Sequence, residues 1–219
     1  MANPAELLLR EQFNNPVQQR ETATLGMWIF IMTEVMLFGG LFLAFTVYRL
    51  DYPRAFIAGS GDMNILLGSI NTAVLICSSF TMALAVSHSE TGNRRLLSVF
   101  LILTMILGFV FIGIKFTEYY QHYQEHHAPG VWFNYSAADG GHVEMFFLLY
   151  FLMTGLHATH MFVGEGILAA MLIRNAAGSF NSDYHTPVEL TGLYWHFVDI
   201  IWVFLFALFY VEGLHLHKL

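Results

Sequence analysis

The sequence predicts an all-α fold: an integral membrane bundle of five transmembrane helices. Three observations carry the prediction. The 219 residues are 56% hydrophobic and 11% charged, with mean hydropathy +0.56, whereas a soluble domain carries about a quarter charged residues. The apolar residues gather into five runs, each at least as long as the roughly 20 residues a helix needs to cross a hydrocarbon core. The connections between runs hold turn-forming clusters of Gly, Pro, Asn, Asp and Ser.

The runs fall at 25–48, 65–86, 96–116, 145–173 and 188–211. They divide the chain into a polar N-terminal segment (1–23), the bundle (24–212) and a short C-terminal tail (213–219). Leu7-Leu8-Leu9 is too short for a signal-peptide core, so the first run is expected to be retained and to span. Asp51-Tyr52-Pro53-Arg54 and Gly59-Ser60-Gly61-Asp62 read as the first linker, and Glu90-Thr91-Gly92-Asn93 as a tight turn. The longest loop runs from His126-His127-Ala128-Pro129-Gly130 to Asp139-Gly140-Gly141, and Gly178 to Asp183 forms the last. Thr186-Pro187-Val188-Glu189 reads as a helix start, with Thr as cap, Pro at the first position and Glu closing a capping box. Cys77 excludes an internal disulfide framework and reads as a small buried apolar residue. The formal charge of -7 has no basic tract, which argues against a nucleic-acid partner. With the N-terminus inside, Arg10, Arg20, Arg94, Arg95 and Arg174 lie inside, and Arg49, Arg54 and Lys218 outside. That bias favours N-terminus in and C-terminus out.

Polar residues within the runs are the candidate site. An acidic group at the centre of a span costs roughly 2.5–3.5 kcal/mol on insertion scales, so such groups should face protein or a wet pocket. Glu34 sits midway along the first run: a protonatable carboxyl near a proton route, or a protonated acid bonded between helices. Gly39-Gly40 follows it, where a neighbouring backbone can approach closely. His157 and His160 share a helix face, with Glu165 toward its edge. They can bind a metal, but the matching Glu-x-x-His of a di-iron bundle is missing, and interhelical hydrogen bonding is preferred. Trp195, Asp199 and Trp202, with His196 beside them, form a polar-aromatic stripe expected to dock on a partner subunit, since a buried indole N–H needs an acceptor. The tract from Glu118 to His127 reads as an interfacial aromatic belt rather than a metal tract, with Lys115 snorkelling to the headgroups.

Several of these residues occur in a telling order: Gly26-Met27-Trp28 with Thr33-Glu34-Val35-Met36-Leu37-Phe38, Asn71-Thr72, Glu118-Tyr119, Gly155-Leu156-His157 with His160, and Tyr194-Trp195-His196-Phe197-Val198-Asp199. In them the chain resembles subunit III of the haem–copper respiratory oxidases, cytochrome c oxidase and its quinol-oxidising relatives, from about residue 26 to 210. The resemblance implies a subunit of an oxidase complex, supporting proton-pumping oxygen reduction without a catalytic centre of its own. It implies neither metal nor cofactor in this chain, with haem and copper in the partner subunits. The implied partners are the catalytic subunit I and subunit II, with a larger respiratory supercomplex also compatible, and the implied site is the bacterial cytoplasmic membrane. Phospholipid is the implied ligand, with Arg174 and Trp28 as lipid-binding positions and Glu34 as the family's buried helix glutamate. His157, His160, Trp195, His196, Asp199, Trp202 and Glu118 then take structural or interface roles. Seven-helix members carry two further N-terminal helices, which the first run's position leads us not to expect here; some quinol-oxidase members are five-helix. Glu165 departs from the small or hydroxyl residue usual there. The alternatives are a quinol-oxidase subunit III, a helper of nitric oxide reductase, a proton or ion transporter using Glu34, Glu165 and Asp199, or an intramembrane metalloenzyme on His157 and His160.

Overall fold

A computed structural model describes residues 12–127, 129–130, 133, 135, 140–180 and 184–211. Among these residues there are six helices: α1 (Pro16–Asp51), α2 (Pro53–Gly61), α3 (Ile65–Glu90), α4 (Arg94–Gln124), α5 (Gly140–Ala176) and α6 (Thr186–Phe206), the last running into a π-helical turn, Ala207–Val211. All but α2 are long and apolar enough to cross a membrane. The five expected spans are therefore present, and the first linker, read as irregular, holds a helix as well. Its sequence allows that: Pro53 sits in the first turn, where its missing N–H costs nothing, and Ala55 and Phe56 are buried.

Asparagines start three of the helices. The side chains of Asn15, Asn64 and Asn93 accept from the backbone N–H of Gln18, Leu67 and Leu96, each satisfying one otherwise orphaned donor. The anticipated capping box at the sixth helix does not form. His185 holds the cap position without a side-chain bond, because Glu189 is engaged elsewhere: Arg20 donates to both its oxygens at 3.0 and 3.2 Å, and His185 Nε2 lies 3.1 Å away. This carboxylate thus ties the start of α1 to the start of α6. At the other ends, Gly92 (φ 70°) and Gly178 (φ 80°) take the left-handed conformation that closes α3 and α5.

In the bundle, α3 packs on α4 and α6, α4 on α5, and α5 on α6, while α1 lies against α6, α5 and α2. The core is aromatic. Phe45, Phe56, Phe146 and Phe209 meet mostly edge to face, with centroids 5.0–6.4 Å apart. This cluster seats α2 against α5 and the π turn, and Ser60 adds a hydrogen bond to the carbonyl of Phe209 at 2.8 Å.

Two expectations, for Cys77 and Lys115, are corrected by packing. Cys77 is exposed on the outer face of α3 rather than buried. A Cβ on Gly39 or Gly40 would meet nothing within 4 Å, so among the described residues no helix occupies the close-approach surface they offer. Lys115 does not reach toward headgroups; it is 5% exposed and held inside the bundle.

Candidate functional site

The residues singled out in the sequence separate into three polar clusters, each joining different helices. The deepest surrounds Lys115. Its ammonium donates to Glu118 Oε2 at 2.8 Å, Tyr150 Oη at 2.9 Å and Tyr210 Oη at 3.0 Å. That uses all three N–H donors of a lysine. Glu118 also accepts from Tyr210 through Oε1. The ammonium lies 4.9 Å from the Tyr150 ring centroid and 5.0 Å from that of Trp202, within cation–π range. Lys115 and Glu118 thus bind α4 to α5 and to the π turn after α6. Glu118 belongs to this knot and not to an interfacial belt.

The second cluster joins α1 to α5. His160 Nδ1 lies 2.8 Å from the carbonyl of Leu156, and Nε2 lies 3.1 Å from Glu34 Oε2. A carbonyl only accepts, so Nδ1 carries a proton. The Nε2–Glu34 contact therefore contains one shared proton, as imidazolium with carboxylate or imidazole with carboxylic acid. His157, one turn earlier, turns inward instead. Its ring packs between Phe111 and Trp202 at 5.6 and 5.4 Å, and neither nitrogen has a hydrogen-bond partner among the described residues. The two histidines diverge, and among the described residues no third metal-ligating side chain joins either of them.

The third cluster joins α3 to α6. The Trp195 and Trp202 indoles donate to Ser78 Oγ and Thr72 Oγ1, each at 3.1 Å, and His196 Nδ1 lies 2.7 Å from Ser79 Oγ. Both tryptophans are fully buried. The stripe expected to dock on a partner therefore docks on this chain's own α3 and α5. The polar face found its acceptors one helix away, which residue spacing along α6 alone cannot reveal. Asp199 lies beside the Ser79 hydroxyl, yet neither carboxylate oxygen completes a hydrogen bond among the described residues. It lines a groove of about 320 Å³ between α3 and α6.

Glu165 is buried, and neither oxygen has a partner among the described residues. It faces Gly108 of α4, where a Cβ would collide with Oε1. The carboxyl occupies space that a side chain at 108 would otherwise fill.

The two lipid positions lie apart. Trp28 is 55% exposed and lines a groove of about 670 Å³ between the first turns of α1 and α6, with Val17, Arg20, Leu25 and Leu190. Arg174 does not line that groove; its guanidinium covers the Phe180 ring at 5.2 Å and donates to Tyr184 Oη at 3.4 Å. Nothing in the sequence marks Arg20 for this groove beyond its spacing of eight residues from Trp28. Outside the spans, burial and then the Asp62 carboxylate beside it push the Tyr135 phenol up to about 12; its hydroxyl donates to Asp62 at 2.9 Å.

None of these clusters has an open, converging set of acid, base and nucleophile. They join helices. Comparison with known proteins gives the family. The family described as cytochrome c oxidase subunit III matches residues 6–214. The chain is 34% identical over 196 residues to cytochrome c oxidase subunit 3 of Oncorhynchus mykiss, covering 86% of this chain and 69% of that protein. The same values hold for the Carassius auratus protein. Against the probable quinol oxidase subunit 3 of Staphylococcus haemolyticus, identity is 30% over 193 residues, covering 87% of this chain and 89% of that protein.

Proposed function

The chain belongs to the cytochrome c oxidase subunit III family and is an accessory, membrane-integral subunit of a haem–copper oxidase; from that premise we propose that it packs on catalytic subunit I along α1 and holds phospholipid beside it. The observation that carries the reading is how little of α1 the chain itself covers. Of its 36 residues only Phe38 and Phe45 are buried, whereas α6 buries 11 of 21. The uncovered surface includes Met32, Met36 and Leu43 alongside the bare Gly39-Gly40 pair. Small residues flanked by large apolar ones let a neighbouring membrane helix approach closely.

The groove beside Trp28, walled by Val17, Leu25, Leu190 and Leu193, suits an acyl chain; Arg20, which bonds Glu189 through Nη2, can turn its other guanidinium N–H groups toward a phosphate. In this reading the haem and copper belong to the catalytic partners, subunits I and II, and subunit III supports their stability, proton uptake and oxygen supply. The complex sits in a bacterial cytoplasmic membrane, N-terminus inside.

A test uses single cysteines introduced into a Cys77→Ser background and cross-linked within the purified complex. Cysteine at Met36 or Leu43 should link this chain to the haem-bearing subunit. Cysteine at Ile106, exposed on α4, should not. Linkage from Ile106 with none from α1 would reverse the docking face. A second reading of the electron donor has its own support, because the aligned region covers 89% of the quinol oxidase relative but 69% of the fish cytochrome c oxidase subunits. Oxygen uptake by the purified complex with reduced cytochrome c or with a quinol separates the two.

A further inference from the structure

The end of α4 differs from the ends of α3 and α5. All three close with the same pair of bonds, in which the residue two beyond the cap donates to a carbonyl five residues back. In α3 these are Asn93 to His88 (3.0 Å) and Gly92 to Ser89 (3.2 Å); in α5 they are Ser179 to Arg174 (3.0 Å) and Gly178 to Asn175 (2.9 Å). In α4 they are His127 to His122 (3.0 Å) and His126 to Tyr123 (3.3 Å). The left-handed position is glycine in the first two and His126, at φ 58°, in the third. A Cβ is disfavoured there.

That reversal folds His127 back over His122 with the cap residue, Glu125, between them. Their Nδ1 atoms lie 3.5 and 3.7 Å from one oxygen, Glu125 Oε2. One ligand atom from each of the three residues falls within 4.8 Å of the other two. These separations are too long for good N–H···O hydrogen bonds, and both buried Nδ1 atoms lack a partner among the described residues. They do fit a shared cation. Ligands about 2.1 Å from a tetrahedral zinc stand about 3.4 Å from one another. Two imidazole nitrogens with one carboxylate oxygen is also the donor set of zinc sites that keep a fourth position open. Phe147 walls the cluster, its ring 5.0 Å from that of His127 and 5.6 Å from that of His122.

We propose that His122, Glu125 and His127 bind one zinc-class divalent ion where α4 leaves the membrane, with the fourth position open to water or a donor from a neighbouring chain. The tract was expected to be an interfacial belt because Tyr and His gather at a helix exit, and positions i, i+3 and i+5 share no helix face that would signal a site. Only the reversal at His126 brings them together.

The test titrates zinc chloride into the full-length chain in nanodiscs, stripped beforehand with a chelator, in competition with a fluorescent zinc indicator. One equivalent should bind. His127→Ala and Glu125→Gln should each weaken that binding at least tenfold while circular dichroism stays unchanged; both target the more accessible ligands, because replacing His122 risks the fold. His126→Gly, which keeps all three ligands and suits the backbone, should bind as the wild type does. Wild-type uptake no greater than that of His127→Ala or Glu125→Gln would overturn the assignment, as would loss of binding in His126→Gly.

Discussion

Removing Lys115 should be among the most damaging single changes in the bundle. Lys115→Ala deletes three hydrogen bonds, to Glu118, Tyr150 and Tyr210, and leaves the Glu118 carboxylate buried with Tyr210 as its remaining donor. Breaking a buried ion pair by removing one partner costs about 3–5 kcal/mol, because the other charge stays without compensation. Glu118→Gln should cost a similar amount, since an amide cannot balance the ammonium. The double replacement Lys115→Met with Glu118→Leu removes both charges and refills the space, so it should recover most of the loss. The coupling between the sites then has the opposite sign to the single effects and exceeds about 1 kcal/mol. Reversible unfolding in mixed micelles of the wild type, Lys115→Met, Glu118→Leu and the double variant, taken as a thermodynamic cycle, reads it directly. Additive single effects, or a Lys115→Ala cost below about 1 kcal/mol, would show that the pair is not the fastening the geometry describes.

Trp202→Ala should cost about 3–5 kcal/mol of fold stability through cavity formation and lower the yield of the isolated chain; normal chain stability with selective loss of the partner subunit would return Trp202 to a docking role. Gly108→Ala should destabilise by about 1–3 kcal/mol through overpacking against Glu165 and Trp195, and Glu165→Ser should raise the melting temperature by removing a buried carboxyl with no partner among the described residues. Trp28→Ala should lower bound phospholipid in lipid mass spectrometry of the purified complex, because it removes the largest apolar wall of the groove; unchanged lipid would refute that placement. Glu34→Gln can still donate an amide hydrogen to His160 Nε2, so the complex should assemble but lose activity sooner under turnover. An unaltered rate and lifetime would remove that carboxyl from any proton route.

The five spans were legible because a membrane helix announces itself by length and apolarity, and both are properties of one segment. Partners were not legible, because they are properties of two. Lys115 near the end of an apolar run reads as a snorkelling cation; that Tyr150 and Tyr210 wait for it depends on α5 and the π turn lying alongside. Trp195 and Trp202 were rightly read as needing acceptors, but Ser78 and Thr72 on α3 supply them, so the inferred partner subunit was one helix too far. The His157–His160 pair failed as a shared site for a similar reason: i,i+3 spacing aligns two side chains on one helix, while Phe111 and Glu34 on different neighbours draw them apart. Helix α2 escaped notice because nine residues rich in Gly and Ser have the composition of a linker, and only burial of Phe56 against Phe146 makes them a helix worth forming.

In water the apolar face of a helix supplies the drive to pack; in hydrocarbon it supplies little, because lipid tails are as apolar as leucine. Specific pairing must come from close fit and polar contacts, and here nearly every neighbouring pair of spans has its own. Glu34 meets His160 between α1 and α5, Asn175 meets Ser98 and the carbonyl of Arg94 between α5 and α4, and Tyr194 meets the carbonyl of His160 between α6 and α5. Such groups fix register only while they hold one arrangement, whereas a proton-transfer or catalytic group must exchange partners during turnover. A fastening can be exchanged pairwise for apolar residues of matching volume; a reacting group cannot. Paired replacement therefore distinguishes the two roles at each contact, with Glu34 and His160 the most informative place to apply it, since a surviving complex that loses oxidase function would single out a working carboxyl among the fastenings.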